Sequence, residues 1–308
     1  MKKTADRIAV LLPCYNEEQT IGEVIIAFQS ALPEAVIYVC NNNSTDTTKQ
    51  VALKAGAIVL DEPKKGKANA IQKLFRCVDA DYYILADGDL TYDATISGTA
   101  IKKCKELNAD MLIGVRKSVS GQKTYRPGHH FGNWAFTTIL KLIFSGSFRD
   151  VLSGYRVFSR NFVKSMPILS KGFDIEVEMT IYALSLNLTV DEFESNYYER
   201  PEGSESKLST FKDGFQIIKT IFRLLNDYKP LLVFSVTSSI LALLGIYLFI
   251  PIFNSFILTG VVDRFPTAVL SLGLVILAVI SFFSGLILDG ITRHRLEAKK
   301  IAFLQCPK

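Results

Sequence analysis

Tyr82-Tyr83-Ile84-Leu85-Ala86-Asp87-Gly88-Asp89-Leu90-Thr91-Tyr92-Asp93 carries an apolar, strand-forming run directly into two carboxylates one residue apart. A short continuous apolar run of this kind reads as a buried strand, and open α/β sheets keep their ligands just beyond the carboxyl ends of such strands. Gly88 between the acids lets the backbone pass close to a bound group, while Asp87 and Asp89 can approach one hard divalent cation that also holds a diphosphate. The stretch thus reads as a metal clamp for a nucleotide. An isolated Asp-x-Asp is more often a solvated acidic turn, so its neighbours have to decide.

Upstream, strand and helix alternate. Ile8 to Leu12 is a buried-strand run; Pro13-Cys14-Tyr15-Asn16-Glu17-Glu18 leads from it into a helix for which Asn16 is the expected N-cap. Ile21, Val24, Ile25, Phe28 and Leu32 recur at helical spacing and give that helix one apolar face. A second strand, 35–40, runs into Asn41-Asn42-Asn43-Ser44-Thr45-Asp46, residues that favour turns. A helix over 47–55 with Gly56 as its C-cap, a strand over 57–60 and a helix opened by Gly66-Lys67-Ala68-Asn69 complete the approach to the two aspartates. Four such alternations predict a doubly wound, mostly parallel α/β sheet flanked by helices.

The four loop motifs, each at a strand end and in this order, resemble those of family 2 glycosyltransferases of the GT-A fold. The resemblance implies that these loops hold a nucleotide-sugar donor and that the Asp-x-Asp binds Mg2+ or Mn2+. Carried over by position, Pro13, Tyr15, Glu17 and Asp46 line the base and ribose pocket, Asn41 and Lys67 join the donor-binding set, and Asp87 and Asp89 face ribose and metal. One position departs from the pattern. The second loop commonly starts with an acid that recognises the base, and here that place holds Asn41.

Further on, 96–107 reads as a helix and 110–114 as a strand that ends in a basic segment containing Arg116, Lys117, Lys123, Arg126, His129 and His130. Adjacent histidines with no nearby cysteine do not make a zinc site. Arg149-Asp150-Val151-Leu152-Ser153-Gly154-Tyr155-Arg156, Gly172-Phe173-Asp174-Ile175-Glu176-Val177-Glu178 and the run from Glu199-Arg200 to Ser206-Lys207-Leu208 look like the corresponding segments of polyprenyl-phosphate glycosyltransferases, the branch that includes dolichyl-phosphate mannosyltransferase. On a helix, Asp174 and Glu178 share a face and Glu176 points elsewhere.

Composition places part of the chain in lipid. Of 308 residues, 49% are hydrophobic, and the mean hydropathy is +0.24, high for an ordinary soluble enzyme. Residues 231–250 and 267–288 are each close to the ~20 apolar residues that cross a bilayer core, and form a hairpin joined by 251–266. Lys212, Lys219, Arg223 and Lys229 precede the pair, Arg293, Arg295, Lys299 and Lys300 follow it, and the connection carries only Arg264, which puts both termini in the cytoplasm. A helix over 211–226 would align Lys212, Lys219 and Arg223 beside an apolar face and lie in the membrane interface. The expected organisation is a cytoplasmic catalytic domain over 1–208, an interfacial helix over 209–230, two transmembrane helices over 231–290 and a basic tail over 291–308. The short apolar run after the basic N-terminus stops at Pro13, so no cleaved signal is expected.

The formal charge of +5 is too small to argue for nucleic acid but suits phosphate ligands or an anionic inner membrane. The five cysteines are scattered without Cys-x-x-Cys pairing and read as thiols of a reducing compartment. Two thin spans leave lipid-facing surface that self-association could cover.

A cytoplasmic donor pocket on a membrane frame most economically joins a sugar to polyprenyl phosphate, whose ionised phosphate needs no strong base. The cation on Asp89 would stabilise the leaving diphosphate. Arg116, Arg126, Arg200 and Lys207, with Ser206, would gather the acceptor phosphate. Asp150 and Asp174 are candidates for orienting sugar or acceptor. Inversion in a single displacement is the family's habit. The donor favoured is UDP-glucose or a related UDP-sugar, with GDP-mannose compatible. A polysaccharide or glycolipid acceptor and a non-catalytic membrane scaffold are the alternatives; the chain lacks the Gln-x-x-Arg-Trp signature of processive synthases.

Overall fold

The structure, a computed structural model, describes residues 6–118, 148–168, 175–199, 222–223 and 225–306. The chain falls into two compact units, Met1–Gly214 together with Lys299–Lys308, and Phe215–Ala298. The first holds β1 (Ile8–Cys14), α1 (Ile21–Ala31), β2 (Val36–Asn41), α2 (Thr48–Lys54), β3 (Ile58–Asp61), α3 (Lys67–Cys77), β4 (Tyr82–Leu85), a 3-10 turn (Ala94–Ile96) leading into α4 (Ser97–Leu107), β5 (Met111–Ser118), β6 (Arg156–Ser159), α5 (Arg160–Ser165), α6 (Ile175–Ser185) and β7 (Val190–Tyr197).

The strands make one seven-stranded sheet of order β3-β2-β1-β4-β6-β5-β7. β1, β2, β3 and β4 run parallel, β6 is antiparallel to β4 and β5 on either side of it, and β7 is parallel to β5. Val10, Leu11 and Leu12 are fully buried, as a central strand covered on both faces requires. Ile21, Val24, Ile25 and Phe28 of α1, with Leu32 beyond it, are the buried face that helical spacing predicts. Gly56 sits at φ 88° just past α2, as expected of its cap.

The start of the first helix differs from its expected place. α1 begins four residues later than an N-cap at Asn16 would start it, because Asn16 takes a left-handed backbone (φ 55°) and its polar groups go to the second loop. Its N–H donates to Ser44 Oγ (3.1 Å) and its Oδ1 accepts from Thr45 N (2.9 Å). A side chain bound to a distant loop cannot cap its own helix.

The second unit holds two long helices, α7 (Pro230–Thr259) and most of α8 (Phe265–Leu304). Both are long and apolar enough to cross a membrane, and only 11% and 17% of their most apolar windows are buried, unlike the core helices of a soluble protein. These helices suggest membrane association. The connection is shorter than 251–266: α7 continues through Pro251 and ends at Gly260, whose left-handed backbone (φ 69°) lets its N–H reach Phe256 O at 2.8 Å. Proline removes one backbone donor, which apolar membrane-type helices tolerate. On α8, buried Ser271, Ala278, Gly285 and Thr292 recur every seven residues. This small-residue seam admits α7 closely: a Cβ on Gly285 would lie 2.7 Å from Phe234 Cβ, and Ser238 Oγ donates to Ala278 O at 2.8 Å.

Candidate active site

The carboxyl ends of β1, β2, β3 and β4 bring the four loop motifs to one edge of the sheet. Asp46 uses both carboxylate oxygens inside this edge. It accepts from Glu18 N (3.2 Å), Thr48 N (3.0 Å) and Thr48 Oγ1 (2.5 Å), fixing the loop after β1 to the start of α2. Glu17 N donates to Thr48 Oγ1 at 2.8 Å. Tyr15 lies next to Lys65, whose ammonium is 3.2 Å from the phenol oxygen and 5.2 Å from the ring centre. Pro13 is half-buried within β1 itself, opposite Cys40. Asn42 is buried and tied internally, with its amide donating to Lys64 O (2.6 Å) and accepting from Gly66 N (2.7 Å), so the β2 loop is fastened to the start of α3.

At the end of β4 the two aspartates have different surroundings. Asp89 is buried, and its Oδ1 accepts from Thr91 Oγ1 at 2.6 Å and Thr91 N at 3.3 Å. That local turn supports Leu90 in a left-handed conformation (φ 62°), a costly one for a leucine. Asp87 faces Lys67 at 2.6 Å, and the same ammonium lies 2.6 Å from Glu176 on α6. Burial by itself lowers the Lys67 pKa, but the charges and hydrogen bonds of Asp87 and Glu176 outweigh it and the net shift is upward. Lys67 therefore stays protonated between its two acids throughout the neutral range.

Glycines let this cluster close up. Extending the β4–β6 pairing, in which Leu85 opposes Arg156, sets Gly154 against Asp87. A Cβ on Gly154 would lie 2.8 Å from Asp87 Oδ2 and 3.2 Å from Lys67 Nζ. Gly154 N donates to Tyr92 OH at 2.9 Å, which anchors the approach. Gly154→Ala is expected to displace the Asp87 carboxylate and reduce turnover about 10-fold or more at a stability cost of ~1–3 kcal/mol. Steady-state rates and thermal unfolding of the same preparation check this; unchanged rates would remove the tight approach from function. At Gly88 a Cβ would meet Cys14 Sγ at 2.6 Å, so packing also requires a glycine there.

Arg116 and Asp150 form a second buried pair. Arg116 Nε and Nη2 donate to the two oxygens of Asp150 at 2.6 and 2.7 Å, in the fork geometry that guanidinium and carboxylate share. The guanidinium also lies 5.5 Å from the Tyr197 ring. Burial works against the Arg116 charge, and the Asp150 hydrogen bonds more than restore it, so its pKa is raised. Tyr92, packed against Tyr155 and Tyr197, is pushed up by burial and remains a neutral phenol.

Two residues of this edge escape sequence reasoning. Glu176, which helical spacing sets apart from Asp174 and Glu178 and gives no role, lies 2.6 Å from Lys67. Arg156, fully buried, donates to Val151 O (2.6 Å), Ser153 O (3.0 Å) and Thr180 Oγ1 (2.9 Å), so it shapes the turn that carries Asp150 and Gly154. Burial lowers its pKa to about 10 despite Glu176 and Asp150 nearby. Only the odd presence of an arginine at the head of an apolar strand hinted at it. Asp174, Arg126, Arg200, Ser206 and Lys207 lie outside the described residues, as do His129, His130 and most of the predicted interfacial helix.

The donor set of Asp87 and Asp89 suits a hard, oxygen-seeking cation such as Mg2+ or Mn2+. No group of three or more His, Cys, Asp or Glu gathers for a metal among the described residues, so a cation here would draw its remaining ligands from a bound diphosphate and water. The sequence pattern of glycosyl transferase family 2 matches residues 9–166, which span all of these motifs up to α5. The chain belongs to this family. Over nearly its whole length this glycosyltransferase is 29% identical to the glycosyltransferase AglJ of Haloferax volcanii, across 309 residues covering 98% of this chain and 99% of the other. The dolichyl-phosphate hexose transferase of the same organism is 26% identical over 220 residues, covering 71% of this chain and 94% of its own. Among solved structures, glucosyl-3-phosphoglycerate synthase from Mycobacterium tuberculosis in complex with Mn2+ and UDP-glucose superposes with a TM-score of 0.54 at 19% identity, covering 72% of this chain and 79% of the other. That likeness places the glycosyltransferase in the GT-A fold.

Proposed function

We propose that the protein is a membrane-anchored, inverting glycosyltransferase that moves a sugar from a nucleotide-sugar donor to polyprenyl phosphate. The observation that carries this reading is the union, in one chain, of the Asp87/Asp89 edge with two exposed apolar helices of membrane-spanning length. The dolichyl-phosphate hexose transferase relative supports a lipid-phosphate acceptor, and the UDP-glucose complex of the structural neighbour supports a UDP-sugar donor bound with Mg2+ or Mn2+. The domain over 1–208 would be catalytic, the segment 209–230 would lie on the membrane, 231–290 would span it and 291–308 would return to the cytoplasm. The basic residues flanking the hairpin favour both ends inside.

A cation held by Asp87 and Asp89 would neutralise charge on the departing diphosphate. Lys67 adds a fixed ammonium on the same side, bound to Asp87. Arg116, oriented by Asp150 and leaning on Tyr197, presents a rigid guanidinium for the acceptor phosphate; Arg126, Arg200, Ser206 and Lys207 complete that role in this reading, with Asp174 beside the sugar. A phosphate monoester oxygen is already nucleophilic, so holding it in line with the anomeric carbon is the main requirement.

The test is incorporation of radiolabel from a panel of UDP- and GDP-sugars into organic-extractable lipid, with purified full-length enzyme, undecaprenyl phosphate and Mg2+ or Mn2+. Labelled lipid that requires both metal and phosphorylated acceptor is expected. Metal-dependent nucleotide binding without any lipid product would move the assignment to another acceptor, and loss of binding as well would leave a scaffold.

A further inference from the structure

Asn41 holds the position where an acid is expected, yet the structure supplies an acid beside it. Asn41 ends β2, Asp61 ends β3, and the two are register partners. Asn41 Nδ2 donates to Asp61 Oδ1 at 3.0 Å, and Lys49 Nζ on α2 sits 2.5 Å from Asp61 Oδ2. Asn41 Oδ1 in turn accepts from Ser44 N at 3.3 Å, which fixes the amide with its donor side toward Asp61. Asn42, the other side chain that could replace the missing acid, is buried with its amide already committed to Lys64 O and Gly66 N.

The sheet order puts this pair at the far end of a straight path from the metal-binding aspartates. From β4 across β1 to β2 and β3 is three strand spacings, roughly 14 Å at ~4.8 Å each. This is comparable to the reach of an extended nucleoside diphosphate. A donor whose diphosphate meets Asp87 and Asp89 therefore lays its ribose over the loop after β1 and its base over the ends of β2 and β3. We propose that Asp61, not a residue of the β2 loop, is the acid that reads the donor base: it accepts the ring N–H of a keto base, uracil or guanine, while the Asn41 amide donates to the neighbouring ring carbonyl.

An ionised carboxylate offers about four acceptor sites, so the bonds from Asn41 and Lys49 leave room for a base. The side chain is half exposed and open to one. The hydrogen bonds from Lys49 and Asn41 also hold the Asp61 pKa below the usual carboxylate range, keeping it an acceptor. Cytosine and adenine present a ring-nitrogen lone pair at the matching position, which a carboxylate repels. Lys49 acts through Asp61 as a positioning residue. This assignment rests on the nucleotide-sugar donor proposed above, and names the class of base within it.

The experiment is calorimetric titration of the full-length enzyme in detergent with UDP, GDP, CDP and ADP in the presence of Mn2+. The wild type is expected to bind UDP or GDP at least about 10-fold more tightly than CDP and ADP, the discrimination one charged hydrogen bond supplies. Asp61→Ala should reduce that preference to within about threefold, by weakening UDP or GDP through the lost hydrogen bond and by relieving the repulsion of CDP and ADP. The exchange variant, Asn41→Asp with Asp61→Asn, moves the acid across to β2 and should restore the preference, which a merely structural role for Asp61 would not do. An Asp61→Ala protein that keeps the wild-type preference overturns the proposal, as does a wild type that favours ADP or CDP; in both cases the donor reading stands. A wild type that binds none of the four overturns that reading and this proposal together.

Discussion

Asp89→Asn is expected to lower sugar transfer by at least about 100-fold while leaving the protein folded, the scale of loss seen when a preorganised electrostatic contact is removed. Asp89 has two jobs that this variant separates. Its Oδ1 closes a turn through Thr91 N and Oγ1 and so supports Leu90 in a left-handed backbone. In the proposed reaction its charge would hold the cation that meets the diphosphate. An asparagine side-chain oxygen still accepts from Thr91, so the turn survives and only the charge is lost. Asp89→Ala removes both, and should show a lower thermal midpoint beside the same loss of rate. The measurements are label transfer to lipid and metal-dependent nucleotide binding, each set against thermal unfolding. Near-normal turnover in a well-folded Asp89→Asn protein would take this aspartate out of the reaction.

Lys67→Met is expected to cost the catalytic unit about 3–5 kcal/mol, the usual penalty for removing one partner from a buried ion pair. The Lys67, Asp87 and Glu176 side chains are 17%, 25% and 7% exposed, so water replaces little of the lost attraction. Without the ammonium, the Asp87 and Glu176 carboxylates are left without the cation they share. Adding Glu176→Gln to Lys67→Met removes one of those charges and should recover ~1–2 kcal/mol, a coupling that sites with no shared partner would not show. Denaturant unfolding of the detergent-solubilised protein reads both effects. A Lys67→Met protein within about 1 kcal/mol of wild type would show that the three groups do not depend on one another. Below the ordinary lysine pKa this stabilisation is fully present, because the folded-state pKa is raised; it fades only in strong alkali.

Much of the candidate site follows from local sequence. The apolar run into Asp87-Gly88-Asp89, the buried face of α1 and the turn residues after β2 each state their structure within a few positions, because strand burial and helical periodicity are local signals. The helix start at Asn16 was misplaced for the opposite reason: its backbone N–H answers to Ser44 and its side chain to Thr45, about thirty positions away. Pro251 looked like the end of a span, yet α7 runs through it and stops at Gly260, whose left-handed backbone closes the last turn onto Phe256 O.

By itself, then, the sequence determined the alternating strand-helix order, the acidic edge at the end of β4, the family and the presence of two long apolar helices. The tertiary structure alone decided which polar groups meet. β6 runs antiparallel between β4 and β5, and that insertion sets Gly154 against Asp87 and brings Asp150 to Arg116. Parallel pairing of β2 with β3 puts Asp61 beside Asn41, and burial of α6 brings Glu176 to Lys67. Each of these pairs joins residues 20 or more positions apart through strand register or helix docking. Register is a property of two segments together, and neither segment carries it alone.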